Sequence, residues 1–320
     1  MNQPGDPRSD PGPRLAGGPG GDVPTRGGDA SPAPGGPAPD GICAIVLAAG
    51  EGRRLRPLTA YRPKALCPVG NVPLLDRALH RVAALGFADP DTVAVNACYL
   101  GEQVVRHVGG RARLSVEPDD PLGTSGGVAR LRDWIDGRGV LVGNADAYLA
   151  TPDAPPGPDI AALLAGWDGR TVRLLGRPVT GPSRPGDFGR HRFAGFSLLP
   201  WSRVRGLPVT PTELVRTVWR PAEAAGELEV VEFTGTYLDT GTPADYLAAN
   251  LHAAGAGSLL DPTATVTGRH RRAVVGAGAV VHGTVERAVV WPGGVVHPGE
   301  HLVDAVRVGA DLTVPATPAA

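Results

Sequence analysis

An apolar run, Ile42–Leu47, opens directly into Ala48-Ala49-Gly50-Glu51-Gly52-Arg53-Arg54-Leu55-Arg56-Pro57-Leu58-Thr59. Small residues and glycines let a backbone approach a nucleotide closely and turn its N–H groups toward phosphate oxygens. Leu47, Ala48, Ala49, Gly50 and Gly52 are therefore candidate nucleotide contacts. A dinucleotide-binding loop would place a third glycine where Leu55 stands, and a P-loop would need Gly-Lys-Ser/Thr; neither is present. Cations follow instead: Arg54 inside the loop, and Lys64 in Tyr61-Arg62-Pro63-Lys64-Ala65-Leu66-Cys67-Pro68-Val69-Gly70. Farther on, Val140–Gly143 delivers Asn144-Ala145-Asp146, and Tyr237-Leu238-Asp239-Thr240-Gly241-Thr242 supplies a second aspartate. An aspartate after a strand is ordinarily a turn residue. Two of them converging at strand ends suit Mg2+, which prefers carboxylate oxygen and substrate phosphate.

In company, these blocks become specific. The stretch Leu47–Leu75 resembles the signature of the sugar-phosphate nucleotidyltransferases, whose loop reads Leu-Ala-Ala-Gly-x-Gly-Thr-Arg-Leu-x-Pro-Leu-Thr and is followed by Pro-Lys-Pro-Leu. The family includes mannose-1-phosphate guanylyltransferases and N-acetylmuramate 1-phosphate uridylyltransferases, and the resemblance covers roughly residues 42–250. It implies that Arg54 holds the triphosphate, that Lys64 neutralises the reacting phosphates, and that Asp146 and Asp239 bind Mg2+. It also implies that Glu117-Pro118-Asp119-Asp120-Pro121-Leu122-Gly123-Thr124-Ser125-Gly126-Gly127 recognises the base, through Glu117, Gly123 and Thr124, with Asn96–Leu100 flanking the same pocket. The implied reaction joins a nucleoside triphosphate to a sugar 1-phosphate and releases pyrophosphate. A rival reading is a catalytically silent paralogue that binds nucleotide sugars and regulates a partner.

Two departures stand out. Arg53 replaces the family's usual Thr. Many relatives carry Glu-Lys-Pro before the strand corresponding to Phe193–Leu198, with the lysine on the sugar phosphate. This chain has Arg184-Pro185-Gly186-Asp187-Phe188-Gly189-Arg190-His191-Arg192, nearer the Gly-Asp-Phe stretch of the muramate uridylyltransferases. Arg190 and Arg192 are the candidates to take the lysine's place.

The elements that must position these residues alternate between strand and helix. Strands are expected at Ile42–Ala48, Thr92–Ala97, Val140–Gly143, Val172–Leu175, Phe193–Leu198 and Leu228–Phe233. Helices are expected at Leu74–Leu85, Gln103–Val108 and Val128–Ile135, and after the Thr242-Pro243 start signal. This predicts an α/β fold: a Rossmann-like, mainly parallel sheet with helices on both faces, whose ligands bind outside the carboxyl ends of the strands. From Leu260 the rhythm changes. Aliphatic residues step by six, with nine-residue gaps, through Leu260, Val266, Val275, Val281, Val290, Val296, Leu302, Val308 and Val314. That spacing predicts a short left-handed β-helix of hexapeptide repeats, suited to assembly into a homo-oligomer. Acyl transfer based on His282, His297 or His301 is the weaker alternative for it. The expected organisation is a disordered tail over 1–40, about half Gly and Pro, a transferase domain over 41–255, and the repeats over 256–316.

Composition narrows the partners. Lys and Arg total 31 against 32 acids, a net charge of −1 that offers no basic patch for nucleic acid or a membrane surface. No apolar run approaches a membrane span, and the N-terminus lacks a signal-peptide core. The three cysteines, Cys43, Cys67 and Cys98, have neither disulfide nor zinc spacing and read as small core residues of a cytoplasmic protein.

Overall fold

The computed structural model describes residues 40–117, 120–151, 156–179 and 187–317. The expected disordered tail lies outside these residues, apart from Asp40. The centre of the fold is strand β1 (Ile42–Leu47), in which Cys43 and Ile45 point to one side and Ala44 and Val46 to the other, all of them fully buried. A strand that is apolar on both sides must be covered on both sides. One cover is built from α1 (Leu74–Ala83), through Leu75, Ala78, Leu79 and Val82, and α2 (Gly101–Val108), through Val104 and Val108. The opposite cover uses Val128 and Ala129 of α3 (Gly123–Arg130), together with Ile135, Val204 and Val218.

The sheet around β1 has seven strands. On one side are β2 (Val93–Ala97) and β3 (Arg113–Val116), and on the other β4 (Gly139–Asn144). All of these run parallel. Beyond β4 lie β7 (His191–Leu199), then β6 (Val172–Pro178) and β8 (Leu228–Glu232). Strand β7 is antiparallel to both of its neighbours, so its first residues emerge at the same edge as the ends of β1, β4 and β6. Outside the sheet, β5 (Ala147–Ala150) pairs antiparallel with β9 (Thr236–Asp239), setting Ala147 opposite Asp239. The sequence pattern did not announce this small ribbon.

Helix α4 (Pro243–Ala254) starts where Thr242 caps it, its hydroxyl oxygen accepting from the Asp245 N–H at 3.2 Å. It joins the sheet domain to the C-terminal segment. There short parallel strands return every 15 residues: Leu259–Leu260 pairs with Val274–Val275, and Thr265–Val266 with Val280–Val281. Val275, Val281, Val290, Val296 and Leu302 share one apolar cluster, with Leu260 and Val266 packed against it. Val308 and Val314 depart from the six-residue pattern. The chain turns back there, Leu312–Pro315 pairs antiparallel with His301–Val308, and these two side chains join a different cluster beside α4. His282, His297 and His301 are all exposed.

The stack packs against the segment that follows Lys64. The Trp291 indole donates to the Tyr246 hydroxyl at 3.0 Å, and that hydroxyl donates to the Pro68 carbonyl. The Arg62 guanidinium lies 5.0 Å from the Trp291 ring centroid. The Asn71 amide donates to the Val275 carbonyl at 2.9 Å. No helix among the described residues is long and apolar enough to cross a membrane.

Candidate active site

At the carboxyl edge of the sheet, the loop after β1 forms one wall of a cavity of about 510 Å³. Leu47, Ala48, Ala49, Gly50, Gly52, Arg54, Lys64, Gly123, Thr124 and Asp146 line it. The loop is held from behind, since the Ala48 N–H donates to the Asn96 side-chain carbonyl on β2 at 2.7 Å. Gly52 adopts φ +61°, and a Cβ there would stand 2.9 Å from the Lys64 Cβ. Glycine is therefore required for the loop to lie against the lysine.

Lys64 is buried, its side chain only 8% exposed, and its ammonium donates to Asp146 Oδ2 at 2.9 Å. The same nitrogen stands 3.6 Å from Asp239 Oδ1, and Arg54 reaches Asp239 Oδ2 at 3.3 Å. Asp146 and Asp239 are 46% and 48% exposed, so their carboxylates share one cation while still facing solvent. Asp146 follows β4 and Asp239 ends β9; the β5–β9 ribbon brings them together, and the Thr240 hydroxyl donates to the Asp146 carbonyl at 2.9 Å. Gly241 makes room, since a Cβ there would meet the Arg54 guanidinium at 2.7 Å. The negative field is felt by Tyr237, whose hydroxyl pKa is pushed up by burial first and by Asp146 and Asp239 next.

Two expectations are corrected. Glu117 does not face the cavity: it is 2% exposed, and its carboxylate accepts from the Asn96 amide at 2.8 Å and from the Leu122 N–H at 2.7 Å. It ties the loop after β1, through Asn96, to the turn before α3 from behind. A carboxylate offers only acceptors, so two converging N–H groups draw it inward. Second, the helix expected from Val128 begins at Gly123. Its glycines admit a neighbouring segment, as a Cβ at Gly126 would meet the Thr210 carbonyl at 2.5 Å and one at Gly127 the Asn96 amide at 2.7 Å. That neighbour carries Glu213, which the sequence reading missed. Glu213 lines the cavity, and its carboxylate accepts from the Thr124 hydroxyl at 2.6 Å and the Thr124 N–H at 3.2 Å. No local pattern around Pro211-Thr212-Glu213 signals this.

Comparisons with known proteins identify the family. Residues 44–172 match the family model of the MobA-like NTP transferase domain. The chain is 29% identical over 233 residues to the mannose-1-phosphate guanylyltransferase catalytic subunit beta of Danio rerio, covering 64% of this chain and 62% of that one. It is 33% identical over 168 residues to the N-acetylmuramate alpha-1-phosphate uridylyltransferase of Neisseria meningitidis serogroup B, covering 51% of this chain and 67% of that one. The chain belongs to the sugar-phosphate nucleotidyltransferase family. It spans roughly three fifths to two thirds of the length of these two relatives. The fold is that of the mannose-1-phosphate geranyltransferase from Thermus thermophilus, with a TM-score of 0.58, 21% identity, and coverage of 86% of this chain and 95% of that one.

Against the family pattern, Arg53 lies in an exposed pair with Glu51, at 2.6 Å. The stretch 180–186, which includes Arg184, lies outside the described residues. Arg190 is exposed on the turn before β7, whereas Arg192 is half-buried within that strand. Neither lines the cavity described above. Cys43 and Cys67 are core residues, and burial pushes both thiols up to about 12.

Proposed function

We propose that this chain transfers a nucleotidyl group from a nucleoside triphosphate to a sugar 1-phosphate, releasing pyrophosphate, with Mg2+ held by Asp146 and Asp239. The observation that carries the reading is the buried Lys64 ammonium shared by two half-exposed carboxylates beside a glycine-lined cavity. The donor set suits Mg2+, which is commonly held by one or two carboxylates and completed by water and substrate phosphate. No larger group of metal-ligating side chains occurs among the described residues. When bound, the ion supplies charge neutralisation on the phosphates.

The protein's own groups do the rest. Leu47 and Ala48 line the nucleotide pocket, backbone N–H groups of Ala49–Gly52 cradle the triphosphate, Arg54 holds it, and Gly123 and Thr124 meet the base. An oxygen of the sugar 1-phosphate attacks the α-phosphorus in line, its bond forms as the bond to pyrophosphate breaks, and the leaving electrons go to pyrophosphate. A phosphate monoester has its second pKa near about 6, so the nucleophile is already ionised and no general base is needed. The obstacle is repulsion: like unit charges about 4 Å apart cost roughly 4 kcal/mol at an effective dielectric of 20. Lys64 and Arg54 stand where that repulsion must be cancelled. Arg190 or Arg192 takes the place of the family's lysine at the acceptor.

The C-terminal stack, over 256–316, reads as a short left-handed β-helix of hexapeptide repeats through which copies of the chain associate. The balanced charge and a cysteine spacing without disulfide or zinc pattern favour small-molecule substrates in the cytoplasm. The deciding experiment is a matrix of nucleoside triphosphates against sugar 1-phosphates with Mg2+, read by pyrophosphate release. Turnover with one pair is expected. No turnover across a broad panel, with nucleotide sugars still binding, would replace the enzyme by a regulatory paralogue.

A further inference from the structure

Beyond the carboxylates lies a second concentration of charge. At the edge where the sheet opens, Arg177 of β6 is directly opposite Arg192 of β7. Cross-strand partners share a face, with Cβ atoms about 5 Å apart. Along β7 that face continues through Ala194, Phe196 and Leu198, which share a core cluster with Ala147 and Leu149 of the ribbon and have Tyr237 packed against them. The Arg177 guanidinium lies 5.7 Å from the Tyr237 ring centroid, and Tyr237 stands two residues before Asp239 on β9. Both arginines are therefore on the side of the sheet covered by the ribbon that carries Asp239.

Neither has a counter-ion among the described residues, both are half-buried, and the Nε of each is buried without a hydrogen-bond partner. The nearby acid, Asp187, accepts instead from the Phe193 N–H at 3.4 Å. Elsewhere, buried and half-buried arginines find acceptors: Arg81 pairs with Asp159 at 2.9 Å, Arg173 with Glu229 at 2.8 Å and Arg307 with Glu300 at 2.7 Å, although the Arg307 Nε is also unpartnered, while Arg77, Arg132 and Arg138 donate to backbone carbonyls. Like charges directly opposite each other destabilise a sheet, and a polar group buried without a partner adds a desolvation cost. An anion entering from the cleft removes both penalties.

We propose that Arg177 and Arg192 together form a two-arginine clamp for an anionic group of the acceptor sugar, either its phosphate or a carboxylate substituent. This rests on the nucleotidyl-transfer reading and adds Arg177, which the sequence pattern did not single out. The order across the sheet fits: phosphate loop on β1, Asp146 after β4, then the clamp on β7 and β6. A guanidinium binds carboxylate or phosphate through two parallel N–H bonds, which fixes the orientation of the acceptor as well as its affinity.

The test uses the full chain with Arg177→Gln, Arg192→Gln and Arg177→Lys, each checked for an unchanged or raised melting temperature. KM for the acceptor and for the triphosphate are measured separately with mannose 1-phosphate, which carries phosphate alone, and with N-acetylmuramate 1-phosphate, which also carries a carboxylate. The glutamine variants should raise acceptor KM by about tenfold or more with triphosphate KM within about twofold, and Arg177→Lys should recover part of the loss. An equal rise for both acceptors assigns the clamp to phosphate; a rise confined to the muramate assigns it to carboxylate. Unchanged acceptor KM in both glutamine variants, or equal rises for both substrates, overturns the clamp. Calorimetric titration of the same two sugar phosphates separates this from the reaction itself. Binding lost in the glutamine variants of a chain that shows no turnover would sink the reaction and keep the clamp.

Discussion

The carboxyl edge of the sheet and the C-terminal stack solve the problem of charge in opposite ways. At the sheet edge, Lys64 serves two carboxylates at once, Arg54 reaches the same Asp239, and Arg177 and Arg192 have no counter-ion among the described residues. In the stack, cations close on their own acids: Arg287 on Asp304 at 2.7 Å and Arg307 on Glu300 at 2.7 Å, around a core of valines. One region leaves electrostatic demand to be met by something that arrives. The other closes its more buried cations, Arg287 and Arg307, on acids of its own. The Trp291–Tyr246–Pro68 chain of hydrogen bonds joins the two, bracing the segment that follows Lys64.

If that contrast is right, substitutions should sort by region. Asp146→Asn should cost the most activity, lowering turnover by about a thousandfold or more while the melting temperature stays close to wild type. Pyrophosphate release near the wild-type rate would remove Asp146 from the site. Lys64→Met should follow, at about a hundredfold or more in turnover, because the reacting phosphates lose the cation beside them. Trp291→Ala should invert the pattern. It empties a buried aromatic site, so a loss of about 3–5 kcal/mol in denaturant unfolding is expected, with turnover of the folded fraction reduced far less. A collapse of turnover at unchanged stability would instead make the brace part of the catalytic apparatus. Glu117→Gln should be mildest. The carboxylate accepts from both Asn96 and Leu122, and an amide keeps only one acceptor, so triphosphate KM should rise about tenfold with the preferred nucleotide unchanged. A switch in nucleotide preference would mean that Glu117 touches the base after all.

Much of the fold was legible because local chemistry and burial agree. Ile42–Leu47 is a continuous apolar run and is buried on both faces, and Thr242-Pro243 announces a helix that does begin there. The glycines after β1 signalled a close approach, and Gly52 makes one against Lys64. Glu117 was legible as a polar residue beside the glycine-rich turn before α3 but not as a buried tie, because its partners, on β2 and in that turn, are distant or unremarkable in sequence. Arg177 and Glu213 were invisible for the same reason. A strand register and a loop clasp set their surroundings, and neither leaves a local pattern.

By itself, then, the sequence determined the elements and the kinds of group available: a glycine-rich loop, a lysine, two aspartates and a changed repeat after Leu260. These follow from propensities and spacings that act over a few residues. Tertiary structure alone decided which groups meet. Asp146 and Asp239 come within reach of one ammonium only because β5 pairs with β9, and Arg177 faces Arg192 only because β7 runs against its neighbours. Those pairings depend on burying both faces of one sheet, a requirement of the whole chain that no short stretch of it encodes.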